Sequence, residues 1–257
     1  MTPSSPGESS DFGGVDPWDV GGLRNGNASH EGPRLPLTMA DAYQSFQELE
    51  SKEREGEDWV REYINRGSRI LVMAPHGGWI EPFTAELARA VAGNDLSFYT
   101  FQGLKKRGNE KLHLTSHLFD EPLAQRAASS ALWVLAIHGE RSPDRSFVMV
   151  GGLWGTFRKR LAEAFTDAGI SVEGPRQGLG GANPRNICNR GQSGAGGQLE
   201  ISEGLRRALR KDQEGLRRFV ELVRGVLFQV EHEENLPALV NREVRNKLKT
   251  GKKNPGR

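Results

Sequence analysis

Hydrophobic and polar positions along the chain follow two periods, and together they read as buried strands separated by amphipathic helices. Ile70-Leu71-Val72-Met73-Ala74-Pro75 and Leu132-Trp133-Val134-Leu135-Ala136-Ile137 are unbroken apolar runs of strand length, the pattern of strands covered on both faces. Leu96 to Phe101, Phe147 to Val150, Ile170 to Val172 and Leu199 to Ser202 read as further strands. Helical spacing recurs between them at Phe83, Leu87 and Val91, from Leu153 to Ala168, and at Leu216, Phe219, Val220, Val223, Leu227 and Val230. Asp120-Glu121-Pro122 reads as another helix start, since proline is tolerated in a first turn. Ahead of the first strand, Met39, Tyr43, Phe46, Leu49, Trp59 and Ile64 predict two helices broken near Gly56. This alternation predicts one α/β domain over residues 37–240, with a mixed, mostly parallel central sheet and helices on both faces. Residues 1–36, crowded with Gly, Pro, Ser and Asn, read as a disordered tail, and residues 241–257 as a basic C-terminal tail.

Composition narrows the function class only by exclusion. Thirty-five basic and thirty-three acidic residues leave a net charge of +2, which favours neither nucleic acid nor a membrane surface as partner. The first ten residues lack both a basic start and an apolar stretch, and no run has membrane-spanning length. A cytoplasmic, monomeric protein is expected, released by lysis if the chain is of phage origin. Cys188 is the single cysteine, so neither an intramolecular disulfide nor a thiolate zinc site can form, and it reads as a small buried hydrophobe. Any zinc must be held by histidine and carboxylate.

Candidate chemistry gathers where strands end. His76-Gly77-Gly78-Trp79-Ile80-Glu81 follows the first apolar run directly. On a continuous helix His76 and Glu81 would point about 140° apart, but a glycine turn lets both converge at the strand's C-terminal end. The second apolar run ends the same way, at His138-Gly139. Parallel strands place such ends side by side at the edge where α/β proteins bind ligands. Two imidazoles and a carboxylate with room for water make an open zinc site, and Glu200, a carboxylate on a predicted strand, is the candidate general base. Taken singly, each histidine is more simply a hydrogen-bonded strand end and Glu200 an arginine's partner; the four together favour a site.

His113 and His117 form a second pair at helical spacing, but Leu112-His113-Leu114-Thr115-Ser116 alternates like a strand, so this pair ranks lower. His113 reads as a substrate or supporting contact, His117 as an ordinary residue. The glycine clusters at 178–181 and 191–197 match no nucleotide-binding spacing. The loop from Asn183 to Gly191, which contains Asn186, Asn189 and Arg190, offers planar and amide donors suited to an anionic substrate group. Lys105-Lys106-Arg107 and Lys111 form a basic loop that would attract a polyanion.

Five blocks carry a resemblance. His-Gly-Gly-x-Ile-Glu-Pro at 76–82, Thr-Ser-x-x-Phe-Asp-Glu-Pro at 115–122, Ile-His-Gly at 137–139, Asn-Ile-x-Asn-Arg-Gly at 186–191 and Gln-Leu-Glu-Ile-Ser at 198–202 occur in order. Together they resemble the phage-type poly-γ-glutamate hydrolases, a family similar in fold to zinc carboxypeptidases. The resemblance implies zinc ligands at His76, Glu81 and His138, a base at Glu200, and Asn189 and Arg190 holding a substrate carboxylate. It also implies poly-γ-glutamate or a related acidic peptide as substrate, hydrolysed by metal-activated water. The chain departs from the family pattern in its long N-terminal tail, an added C-terminal helix, and Phe83 where a small residue is expected. The alternatives are a zinc peptidase or deacylase acting on another acyl group, and a non-catalytic, phage replication-associated binding protein.

Overall fold

A computed structural model of the chain describes residues 41–176 and 178–250, with side chains as far as residue 234. The expected tail at 1–36 lies outside the described residues. The strands are β1 (Trp59–Ile64), β2 (Ile70–Gly78), β3 (Ser97–Gly103), β4 (Trp133–Glu140), β5 (Val148–Gly152), β6 (Val172–Glu173) and β7 (Gly197–Ser202). They form one sheet in the order β1-β3-β2-β4-β7-β5-β6. The centre, β3-β2-β4-β7, is parallel throughout; β1 joins β3 and β5 joins β7 antiparallel. The mixed, mostly parallel sheet expected from the sequence is thus present.

Helices cover both faces. α2 (Thr84–Ala92), α4 (Gly155–Asp167), α5 (Glu203–Lys211) and α6 (Gln213–Thr250) bury Leu87, Val91, Phe157, Leu161, Leu209, Phe219 and Val223 against Ile70, Val72, Leu135, Ile137, Leu199 and Ile201. α1 (Phe46–Glu50) and α3 (Pro122–Ser130) cover the opposite face, where Phe46, Leu49, Ala124 and Ala128 meet Leu71, Met73, Tyr99, Val134 and Ala136. The Glu121 side chain caps α3, accepting from the amides of Leu123 and Ala124. Cys188 is buried in this second core, as its reading as a hydrophobe implies, and burial pushes its thiol pKa up. Among the described residues no helix is long and apolar enough to cross a membrane.

Three local expectations change. Residues 59–64 form an edge strand rather than a helix, because Trp59 and Ile64 belong to opposite faces and only Phe46 and Leu49 share a helical turn. An additional helix, α5, starts directly after β7, capped by the Ser202 hydroxyl on the Leu205 amide. The closing helix runs to Thr250, taking in the first part of the segment read as a basic tail.

One irregularity decides which way the first histidine points. Ala74 of β2 pairs with Thr100 but Gly77 with Gln102, so β2 carries one residue more than β3 across this stretch. Such a bulge switches every later side chain to the other face. Simple alternation would put His76 with Ile70, Val72 and Ala74 under α2. The bulge turns it instead to the face of Ala136, where His138 and Glu200 lie.

Candidate metal and catalytic site

Three adjacent parallel strands, β2, β4 and β7, each bring one polar side chain to the C-terminal edge. His138 and Glu200 are direct ladder partners, so their strands run about 4.8 Å apart with both side chains on one face. His76 sits one strand further along. Gly77 and Gly78 then take the chain out of β2: a Cβ on Gly77 would lie 2.6 Å from Thr100 Oγ1, and Gly78 has a left-handed φ of 62°. The amide of Glu81 returns to the His76 carbonyl at 2.9 Å, and Thr84 Oγ1 donates to the Glu81 carbonyl at 2.7 Å. These bonds fold the carboxylate back over the histidine. Phe83, which caps α2, has a left-handed φ of 73°, a conformation that explains why a small residue is expected there.

The converging atoms are closely spaced. His76 Nδ1 lies 3.1 Å from Glu81 Oε1 and 3.1 Å from His138 Nδ1, which is 3.6 Å from Glu81 Oε2. Four ligands around a zinc ion at about 2.0–2.1 Å stand roughly 3.3 Å from one another, so this spacing fits such an ion. The tautomers fit as well. His76 Nε2 donates to the Leu114 carbonyl at 2.8 Å, which leaves the Nδ1 lone pair facing the cluster. Ser116 Oγ stands 3.4 Å from His138 Nε2, and the Gly139 amide donates to Glu81 Oε2 at 2.8 Å.

His113 joins from a loop. Its ring lies against that of His76, tilted by 36° with centroids 4.0 Å apart, and its Nε2 is 4.0 Å from Glu81 Oε1. His76, Glu81 and His113 can also offer ligand atoms that all lie within 4.8 Å of one another. His138 approaches the same carboxylate from its other oxygen, Oε2, and stands 3.1 Å from His76 Nδ1. Asp41 holds His113 Nδ1 at 2.9 Å and the Thr115 amide at 2.7 Å, so the free Nε2 faces the rim of the site. His117 is not in this group.

Charge placement separates the carboxylates. Burial works against ionised Glu81, but His76 and His138 beside it outweigh burial and hold its pKa well below the usual carboxylate range. Burial, reinforced by the charges of Glu81 and Glu140, lifts Glu200 well above that range, against Arg206 and a hydrogen bond from Gln198. The two neighbouring carboxylates therefore differ in charge preference, Glu81 favouring the ionised form and Glu200 the protonated one.

The Asn183–Gly191 loop borders this site at one end, where the Ile187 amide donates to the Ser116 carbonyl at 2.9 Å, but Asn189 does not reach it. Asn189 is buried and spends its whole amide on the backbone: Oδ1 accepts from Leu153 and Gly196, and Nδ2 donates to Gly181 at 2.7 Å and Asn183 at 2.9 Å. Arg190 is exposed, and the following residues bond Ala131 and Leu132 at the start of β4, about 20 Å of strand from His138. Expecting Asn189 to hold a substrate carboxylate is therefore corrected, because its amide is spent on backbone groups; Arg190 donates from Nε to the Arg185 carbonyl at 3.2 Å. Asn186 is buried too, and its role changes. It donates to Gln198 Oε1 at 2.9 Å, and Gln198 Nε2 donates to Glu200 Oε1 at 2.9 Å, so it supports the candidate base through one link.

Sequence reasoning missed Asp41, Ser116, Gln198 and Arg206. Gln198, two residues before Glu200 on a strand, was open to detection from period-two spacing. Asp41 stands 72 residues from His113, and no local signal connects them.

Comparison with known proteins identifies the family. The sequence profile described as poly-gamma-glutamate hydrolase matches residues 43–221. The UPF0714 protein YmaC of Bacillus subtilis (strain 168) is 37% identical over 179 residues, covering 69% of this chain and 75% of its own length. The structure of a bacteriophage poly-gamma-glutamate hydrolase superposes with a TM-score of 0.71 at 30% identity, covering 75% of this chain and 99% of the phage protein. A zinc-free, apo structure of YndL, named as a protein of the same Bacillus strain, gives a TM-score of 0.68 at 34% identity, with 73% and 98% covered.

Proposed function

Since the chain belongs to the poly-gamma-glutamate hydrolase family, we propose that it is a zinc-dependent amide hydrolase cleaving γ-glutamyl bonds of poly-γ-glutamate or a related acidic peptide. The observation that carries this reading is the convergence of His76 Nδ1, His138 Nδ1 and the two oxygens of Glu81, with separations of 3.1 to 3.6 Å. That a relative was solved in a zinc-free form supports zinc as the ion. Bound there, zinc would acidify a water and polarise the scissile carbonyl.

The remaining work falls to the chain. Glu200, beside His138 in the ladder, takes the proton from the attacking water and delivers it to the leaving amine. Its raised pKa suits both halves of that transfer, and Gln198 keeps the carboxylate oriented. His113, 35% exposed, presents Nε2 at the rim as an acceptor for a substrate N–H. Exposed Lys106, Arg107 and Lys111 follow β3 at the same edge and would draw a polyanion toward it.

The test uses poly-γ-glutamate and its α-linked isomer. Chelated protein should leave both polymers intact, and one equivalent of zinc should restore cleavage of the γ-linked chain alone. Full cleavage after chelation, or a zinc-loaded protein that leaves the γ-linked polymer whole, would overturn the proposal; cleavage of the α-linked chain instead would identify a peptidase.

A further inference from the structure

Arg206 lies in the first turns of α5, only 2% exposed, a buried cation within the domain. Its guanidinium spans three chain segments. Nε donates to the Ile201 carbonyl at 3.1 Å, one terminal nitrogen to the Pro82 carbonyl at 2.7 Å, and the other to the Glu140 carbonyl at 3.2 Å. Each acceptor sits one or two residues beyond a group of the site: Ile201 follows Glu200, Pro82 follows Glu81, and Glu140 lies two residues after His138. These three bonds end on backbone carbonyls; the balancing charges of Glu81, Glu203, Glu200 and Glu140 act through space.

Packing repeats the connection. A Cβ on Gly139 would collide with the Arg206 guanidinium, and the amide of that same glycine donates to Glu81 Oε2 at 2.8 Å. The planar cation therefore lies flat against the peptide that holds the carboxylate. A buried charge is costly, and an apolar side chain of similar volume would fill the space without that cost. What an apolar residue lacks is a rigid fork able to reach three carbonyls at once.

We propose that Arg206 is a positioning residue: by tying the backbone beside Glu81, His138 and Glu200 together, it sets the spacing of the metal ligands and their distance from the base. This rests on the metal reading above. Among the described residues the hydrogen bonds of Arg206 end on backbone carbonyls, so its influence passes through the main chain.

Arg206→Lys keeps the charge and removes the fork, while Gly139→Ala keeps Arg206 and displaces it. Each is measured as the full chain, by circular dichroism for folding, by competition with a chromophoric chelator for zinc affinity, and by kcat and KM separately. Loss of supporting contacts behind metal ligands typically weakens binding or turnover by about 10–100-fold. We expect folded Arg206→Lys to lose zinc affinity and kcat in that range with KM nearly unchanged, and the Gly139 amide of the metal-free variant to exchange faster. The double variant should be little worse than either single one, because both break one arrangement. A folded Arg206→Lys with wild-type zinc affinity and wild-type kcat would overturn the proposal. Should Arg206→Lys fail to fold, Gly139→Ala decides by the same readings. Wild-type protein that takes up no zinc would sink the metal reading alone, since amide exchange at Gly139 still reports whether Arg206 holds this peptide.

Discussion

Two regions rich in polar side chains end differently: the C-terminal ends of β2, β4 and β7, and the loop from Asn183 to Gly191. At the strand ends His76, His138 and Glu81 meet within 3.6 Å. In the loop, Asn186 and Asn189 turn inward and bind carbonyls, amides and Gln198. The difference follows from what fixes each position. A parallel ladder dictates where a strand residue sits and which face it takes, so a polar residue at the end of a buried strand has to emerge at the shared edge. A long loop has no ladder to satisfy its backbone, and its amide side chains serve that need first.

The sharpest way to test this contrast is at Glu200. Glu200→Gln should fold and hold zinc yet lose turnover by roughly 10²–10⁴-fold, the usual worth of a positioned base; near-normal kcat would remove Glu200 from the chemistry. The same variant carries a stability signature. Folding raises the Glu200 pKa, so its favourable contribution is complete below the unfolded value and is lost as pH rises through the folded one. Metal-free Glu200→Gln should therefore melt above wild type at neutral pH, with the gap closing toward pH 4.5, the carboxylate's ordinary value. A gap that widens on acidification would contradict a Glu200 pKa raised by folding.

Next in size is Asn189→Ala. It leaves the buried Gly196 amide and Gly181 carbonyl without this partner, each worth about 1–3 kcal/mol, and two part-buried groups at Leu153 and Asn183, so a loss of a few kcal/mol is expected by denaturant titration. KM at a temperature where the variant is folded should not move. A raised KM with unchanged stability would return Asn189 to substrate binding. The smallest effect is expected of Arg190→Ala: KM for the anionic polymer within about twofold of wild type, because its backbone borders the far end of β4. A tenfold rise would show that this loop reaches the substrate after all.

How much could be read from sequence tracks the same distinction. The two apolar runs before His76 and His138 are long and uniform, so their strands, their parallel pairing and the shared edge were legible. The glycine pair after His76 correctly announced the turn that returns Glu81. The bulge between Ala74 and Gly77 was not legible, because one extra residue changes the face and leaves the composition alone. Trp59 to Ile64 was misread for a related reason: pooled with the helical Phe46 and Leu49, the edge strand's period of two was hidden. Asp41 and Arg206 act over long sequence separations, one through a loop and the other through three carbonyls, and neither leaves a local pattern. Asn189 was misassigned because residue type was taken to imply orientation.

The central claim is that side chains from β2, β4 and the turn after β2 hold one cation together. Zinc titration of metal-free protein, wild type beside His138→Ala, tests it most directly, with the folded state of each followed in parallel. One equivalent bound tightly by the wild type, and affinity reduced at least 100-fold in folded His138→Ala, is the predicted result, roughly what losing one of three protein ligands should cause. Equal affinity in the two proteins would contradict it, because His138 would then stand outside the metal site.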